Sequence, residues 1–111
     1  MDIEVSERTT VGLLLRQAQR RGDQVFVRHH DGASWQGVTW RAFADRVLTV
    51  AARLVQEGVA AGDRVALMSE NRVEWLVADF AIQAAGATTV PIYPTSSAAV
   101  AHEILTGSGA V

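Results

Sequence analysis

The sequence predicts an α/β protein organised around a partial parallel-sheet βαβ unit, with an N-terminal helix and a β-hairpin before it. The first observation is an unbroken apolar run within residues 64–68, which is typical of a strand buried on both faces of a parallel sheet. The second is a helical spacing of apolar residues after it, at Val73, Leu76, Val77, Phe80, Ala81 and Ala84. A second strand is predicted over residues 88–92, and the crossover should be right-handed.

Capping residues mark both ends of the central helix. Asn71 can accept a hydrogen bond from a free N–H of the first turn, and Glu74, three residues later, can reach back to the cap. Gly86 follows the last apolar position, where a left-handed backbone costs glycine nothing. The helix is therefore predicted to lie between Asn71 and Gly86.

An amphipathic helix is predicted near the N-terminus, after residues 1–9, which we expect to be loose. Thr9 or Thr10 can cap it, and Gly22 is expected to end it. Its apolar positions are Val11, Leu14, Leu15 and Ala18. Its C-terminal half carries the positive charges that suit the helix dipole, on Arg16, Arg20 and Arg21. A basic amphipathic helix can also lie on a membrane surface, but the short length and weak basicity favour core packing.

A β-hairpin is predicted next. Residues 24–30 alternate in polarity, the pair Asp31-Gly32 is a strong tight-turn signal, and residues 33–38 return as a second strand. The adjacent His29 and His30 invite interpretation as a metal site. Neighbouring residues in a strand point to opposite faces, so the two imidazoles cannot easily share one ion, and we interpret both as structural.

A long helix is predicted over residues 40–57, between the hairpin and the central strand. Thr39 is its expected cap, and Gly58 is expected to end it. Its predicted buried face contains Phe43, Val47, Val50, Ala51 and Leu54. Residues 59–63 should then turn the chain into the central strand.

A last helix is predicted after the βαβ unit. Pro91 donates no backbone hydrogen bond, so the strand that contains it should be an edge strand or end there. Ser96 or Ser97 is the expected cap of the helix, and residues 107–109 should end it. Its apolar positions are Val100, Ala101, Ile104 and Leu105. Residues 110–111 have the character of the first residues of a further strand.

The composition argues against several classes of function. The chain has 111 residues and a formal net charge of −2, without a basic cluster that would indicate nucleic-acid binding. The absence of cysteine excludes disulfides, cysteine metal sites and thiol catalysis, and it fits a cytoplasmic location. The N-terminus lacks the apolar segment of a signal peptide. The richest apolar region, residues 73–90, is interrupted by charged residues and is not predicted to span a membrane.

The candidates for chemistry near the central strand all have structural interpretations. Residues 69–72 contain no glycine, so this loop cannot cradle a pyrophosphate as a dinucleotide-binding loop does. Glu70, Glu74 and Asp79 are the nearest carboxylates, and Glu74 is interpreted as a capping residue rather than an acid or base. Trp75 is interpreted as a packing residue, and the isolated His102 is given no metal-binding role.

The central region resembles the N-terminal part of adenylate-forming (AMP-binding) enzymes, and most closely the long-chain fatty acyl-CoA synthetases. The resemblance rests on SENRVEW at residues 69–75, AGA at 85–87 and VPIYPTSS at 90–97. It implies a complete enzyme that uses ATP, Mg and CoA to make an acyl-adenylate from a fatty acid and then a thioester. The family's phosphate loop, acidic Mg–ATP motif, ribose-binding Asp and catalytic Lys have no counterpart here, and the chain contains no lysine. No catalytic, cofactor-binding or metal-binding residue is therefore assigned.

The sequence leads to the hypothesis that residues 1–111 are an incomplete N-terminal subdomain of such a ligase, inactive alone. The expected partners are the remainder of the synthetase fold and, in the complete enzyme, a fatty acid, with peripheral membrane association there. We expect no nucleic-acid partner, no membrane span and no cofactor for this chain alone. We do expect self-association. One alternative is a stand-alone, non-catalytic interaction module derived from the same fold. A further alternative is a small nucleotide-binding domain.

Overall fold

A computed structural model describes residues 9–30, 32–69 and 73–110 of the chain. Four helices and four strands follow one another in the predicted order. They are α1 (Thr10–Arg21), β1 (Val25–His30), β2 (Trp35–Thr39), α2 (Trp40–Gln56), β3 (Arg64–Met68), α3 (Val73–Ala84), β4 (Thr88–Ile92) and α4 (Ala98–Ser108). The predicted α/β architecture, with an N-terminal helix, a hairpin and a βαβ unit, is confirmed.

The N-terminal helix is capped and packed as its spacing predicts. The N–H of Gly12 donates to the Thr9 hydroxyl at 3.0 Å, so Thr9 is the cap. Val11 and Leu14 are almost fully buried. Gly22 ends the helix with a right-handed backbone, φ −41°, so its role there does not depend on positive φ.

β1 and β2 form an antiparallel hairpin, in which Val27 pairs with Val38 and His30 with Trp35. The second strand begins at Trp35, two residues later than predicted, because the connection is wider than a two-residue turn. Gly32 has the positive φ, 96°, that such a connection needs, whereas Asp31 lies outside the described residues.

The hairpin joins the rest of the molecule through aromatic contacts. The ring of Phe26 stacks on Trp40 with centroids 3.9 Å apart and meets the edge of Phe43 at 4.9 Å. Phe43 in turn meets Phe80 of α3 at 5.6 Å. Thr39 caps α2 as predicted, since its hydroxyl accepts from the N–H of Ala42 at 3.1 Å.

The βαβ unit has the predicted parallel register, with Arg64 beside Thr88 and Met68 beside Ile92. Gly86 ends α3 with φ 83°, as predicted. The N–H of Ala87 donates to the carbonyl of Ile82, and that of Gly86 to the carbonyl of Gln83, which is the Schellman arrangement. The predicted Asn71 cap lies outside the described residues.

The core lies between the helices and on one side of the β3–β4 sheet. α3 packs against α2 on one side and against β3 and β4 on the other, and α1 packs on α2. The core residues are Val11, Leu14, Val38, Phe43, Val47, Ala51, Val73, Val77, Ala81 and Ala84. These include nine of the fifteen positions predicted on α1, α2 and α3 and none of the four predicted on α4, while Ile82 is buried without having been predicted.

The prediction that β3 is buried on both faces is wrong. Its three central residues are half-buried, and Met68 is 59% exposed. Within the described residues β3 pairs only with β4, so the sheet has two strands. A sheet covered by α3 on one face alone cannot bury both sides of its strands.

The last helix is attached only lightly. Ser97 caps α4, because its hydroxyl accepts from the N–H of Val100 at 3.2 Å. The helix continues through Ser108 and ends at Gly109, whose φ is 70°, so the predicted end within residues 107–109 is confirmed. None of the residues of α4 is fully buried.

Candidate functional site

Four large apolar side chains are exposed at the end of β3, just after β4 and on α4. We call this the open surface and define it as Met68, Tyr93, Val100 and Leu105, which are between 41% and 71% exposed. Met68 and Tyr93 lie at the carboxyl ends of β3 and β4, and the other two lie on α4. Exposed apolar residues of this size mark an interaction surface when they are contiguous.

One polar group near the beginning of β4 also lacks a hydrogen-bond partner in the described part of the chain. The hydroxyl of Thr89, in β4, is buried and makes no hydrogen bond in the described part of the chain. α4 is anchored at its C-terminal end by Arg64, whose guanidinium donates to the carbonyl of Ser108 at 2.8 Å. This bond holds the C-terminal end of α4 beside the beginning of β3, and the helix also contacts β4. The arrangement is that of a surface on which further chain can pack.

A separate open groove of about 420 Å³ lies between α2 and α3. Val50, Val77 and Ala78 form its apolar lining. Arg46 on α2 and Glu74 on α3 stand on its two walls, and Asp45 and Thr49 complete the lining. The mixed charges on its rim favour no single class of ligand.

The structure does not gather the carboxylates considered in the sequence into one site. Glu74 lies on the rim of the groove, and Asp79 lies half-buried on α3. Glu70 lies outside the described residues, as does the predicted partner of Glu74, Asn71. Trp75 is half-buried, in keeping with a packing role.

The histidines of the hairpin have local structural contacts. The Nδ1 atom of His30 accepts a hydrogen bond from the N–H of Gly32 at 3.1 Å, and its ring meets the edge of Trp35 at 5.3 Å. In residues 9–30, 32–69 and 73–110, no three His, Asp or Glu side chains lie close enough together to hold a metal ion. Over the same residues, no helix combines the length and apolar character needed to cross a bilayer.

The fold and its motifs match a known family. A family model described as AMP-binding enzyme matches residues 14–111. The chain belongs to the AMP-binding enzyme family. Its predicted resemblance to long-chain fatty acyl-CoA synthetases is confirmed by the long-chain-fatty-acid–CoA ligase FadD15 of Mycobacterium bovis, which is 46% identical over 87 residues. That match covers 78% of this chain but 14% of the relative, so the chain spans a small part of the ligase it resembles.

Solved structures place the AMP-binding chain within the larger fold. The N-terminal subdomain of NpsA from Klebsiella oxytoca superposes with a TM-score of 0.82 at 26% identity, over 91% of this chain and 26% of that one. The fatty acid AMP ligase from Legionella pneumophila superposes with a TM-score of 0.83 at 25% identity, over 91% and 18%. The chain is therefore part of the N-terminal subdomain of an adenylate-forming fold, and a larger fold surrounds this part in its relatives.

Proposed function

We propose that the chain forms the opening part of an ATP-dependent long-chain fatty acid–CoA ligase and acts there as scaffold. The observation that carries this proposal is the 46% identity to FadD15 over 87 residues. The complete enzyme would join a fatty acid to AMP, releasing pyrophosphate, and then transfer the acyl group to CoA. ATP, Mg and CoA would be needed by the complete enzyme and not by this part.

The residues present support a scaffold role rather than a catalytic one. Phosphoryl and adenylyl transfer need backbone donors from a glycine-rich loop, a cation and usually a Lys or Arg near the reacting phosphates. The sequence contains neither such a loop nor any lysine. Its arginines are distributed along the chain rather than collected after a strand. We therefore propose that residues 1–111 alone have no ligase activity.

The open surface supports the proposal that more of the synthetase packs here. A parallel sheet is normally covered on both faces, whereas β3 and β4 are covered by α3 on one. Additional strands beside β3, or elements over the free face, would bury Met68 and give the sheet its usual environment. The remainder of the synthetase is the partner that this surface fits.

An activity assay tests the proposal. The chain, mixed with ATP, Mg and palmitate, should release no pyrophosphate and form no acyl-CoA. The same chain, fused to the remaining residues of a matching ligase, should do both. In the fusion, Met68→Glu on the open surface should reduce activity, whereas Trp35→Glu, 67% exposed on the hairpin, is the matched control and should not.

Two outcomes would contradict the proposal. Fatty-acid-dependent pyrophosphate release by the chain alone, above a heat-killed control, would show that it contains an active site. A soluble, monodisperse chain whose fusion remains inactive would favour a stand-alone interaction module instead. Size-exclusion chromatography with light scattering distinguishes that second outcome from simple misfolding.

A further inference from the structure

The outward side of α1 carries a group of basic residues around an exposed leucine. We call it the basic face and define it as Leu13, Arg16, Arg20 and Arg21, all of them exposed. Arg16 and Arg20, three and seven residues from Leu13, lie on the leucine's side of the helix. Arg21, seven residues from the buried Leu14, lies at the edge between that side and the core. Leu13 itself is 53% exposed, although leucine is among the residues most often buried.

The packing of α1 fixes this orientation. Val11 and Leu14 are 2% and 3% exposed and form part of the core against the other helices. The helix cannot rotate to bury Leu13 without withdrawing those two side chains. The buried side chains and the basic face thus lie on opposite sides of α1. The amphipathic pattern of the sequence accounts for the buried side only.

The arginines of the basic face are not neutralised within the described part of the chain. The ion pairs there join Arg41 to Asp23 and Arg53 to Glu57. The chain has a formal net charge of −2, so its residues other than these three arginines together carry −5. A concentrated positive face on an otherwise acidic chain orients the molecule toward an anionic surface.

We propose that the basic face docks the chain on membranes that contain anionic phospholipids. Leu13 would enter the boundary between headgroups and acyl chains, and the arginine stems would lie along that boundary with their guanidinium groups at the phosphates. Because α1 is already folded and held by the core, docking would not have to order the helix. The combination of an apolar residue with flanking arginines favours a lipid surface over nucleic acid, since the basic face has no aromatic residue on which bases could stack.

Vesicle binding tests the proposal with the full 111-residue chain. Cosedimentation is measured with vesicles of equal parts phosphatidylglycerol and phosphatidylcholine, and with vesicles of phosphatidylcholine alone. Binding should require phosphatidylglycerol and weaken as salt is raised. Each substitution among Arg16→Gln, Arg20→Gln and Arg21→Gln should weaken partitioning about fivefold, and the three together about a hundredfold.

A matched variant controls for net charge. Arg28→Gln, Arg46→Gln and Arg53→Gln together remove the same charge from exposed positions on other elements, and should weaken binding much less. Leu13→Gln should weaken binding without lowering the urea midpoint, because its side chain is already mostly in water. Circular dichroism on every variant confirms that α1 remains folded.

Three results would overturn the proposal. The first is equal binding to both kinds of vesicle, and the second is an equal loss from the two triple variants. The third is retention on single-stranded DNA without vesicle binding, which would assign the basic face to nucleic acid. Vesicle binding is measured without ATP or CoA, so its outcome is independent of the ligase assay.

Discussion

Substitutions at Gly86 test most directly how the C-terminal end of α3 is stabilised. Its φ is 83°, and a Cβ at this position would lie 3.3 Å from the Cβ of Ala61. The carbonyl of Gly86 accepts a hydrogen bond from the N–H of Gly62 at 2.9 Å, which holds the turn before β3 against the end of the helix. A substitution at Gly86 therefore combines backbone strain with crowding against that turn.

Gly58 is a matched control, because it ends α2 with the same pair of backbone hydrogen bonds. Its φ is 103°, but a Cβ there would meet nothing within 4 Å. A left-handed conformation costs a residue with a Cβ roughly 1–2 kcal/mol, so Gly58→Ala should lower the free energy of unfolding by that amount. Gly86→Ala should cost about 1 kcal/mol more, because Ala61 must shift. Gly86→Val should cost more still, since a β-branched residue tolerates positive φ poorly.

Urea denaturation followed by circular dichroism measures these differences. In an Ala61→Gly background the crowding disappears, so the penalty of Gly86→Ala should fall to that of Gly58→Ala. Equal penalties at the two glycines, or a penalty at Gly86 that Ala61→Gly leaves unchanged, would refute the steric part of the argument. Equal stability of the glycine, alanine and valine forms at position 86 would refute the helix end itself.

Three further predictions follow from other contacts. Thr39→Ala should lower the free energy of unfolding by about 1 kcal/mol through loss of the α2 cap, whereas Thr39→Ser should keep most of it, as urea midpoints would show. Gly22→Ala should cost roughly 1–3 kcal/mol, because its Cβ would lie 2.9 Å from the backbone oxygen of Ala18; an added Arg41→Ala should recover little of that loss, since the Arg41 guanidinium can move into solvent, and full stability of Gly22→Ala would contradict the close contact. The chain should enhance the fluorescence of the apolar dye ANS, and the double variant Met68→Ser, Tyr93→Ser should reduce that signal; a chain that gives no signal would have no contiguous open surface.

Local signals were sufficient to predict the order of the elements. Side-chain caps depend on residues three apart, so Thr39 could be identified without knowledge of the fold. The same is true of Gly86, since glycine is the residue favoured at a left-handed helix end, although Gly22 shows that a helix can also end without positive φ. Helical spacing likewise identified the inner face of each core helix, because the apolar side of an amphipathic helix is buried away from water.

Features that depend on several distant elements could not be predicted in this way. The apolar run of β3 looked fully buried because the sequence does not reveal how many strands are present beside it. The hydrogen bond from Arg64 to the carbonyl of Ser108 joins residues that are 44 positions apart. No periodic pattern in the sequence indicates a contact between residues so far apart. The groove between α2 and α3 depends on how the two helices pack against each other. A membrane-surface role for α1 was considered and set aside in favour of core packing, because the sequence does not show that the two roles can use different sides of the helix.

The residues that form the core and the residues of the proposed interface lie in different parts of the chain. The core draws on α1, β2, α2 and α3, whereas β3 and α4 contribute no buried residue and β4 contributes Ile92 alone. The helices α1, α2 and α3 thus bury their inner faces with the residues present. The β3–β4 sheet keeps one uncovered face, and α4 is held mainly through its C-terminal end. The family motif of residues 69–75 follows β3, and that of residues 90–97 begins within β4 and extends beyond its end. The carboxyl ends of parallel strands are the edge where ligands bind in open α/β sheets. A chain organised in this way presents that edge from a stable helical layer, and under the proposed function the groups that act on ATP would be supplied by the remainder of the synthetase.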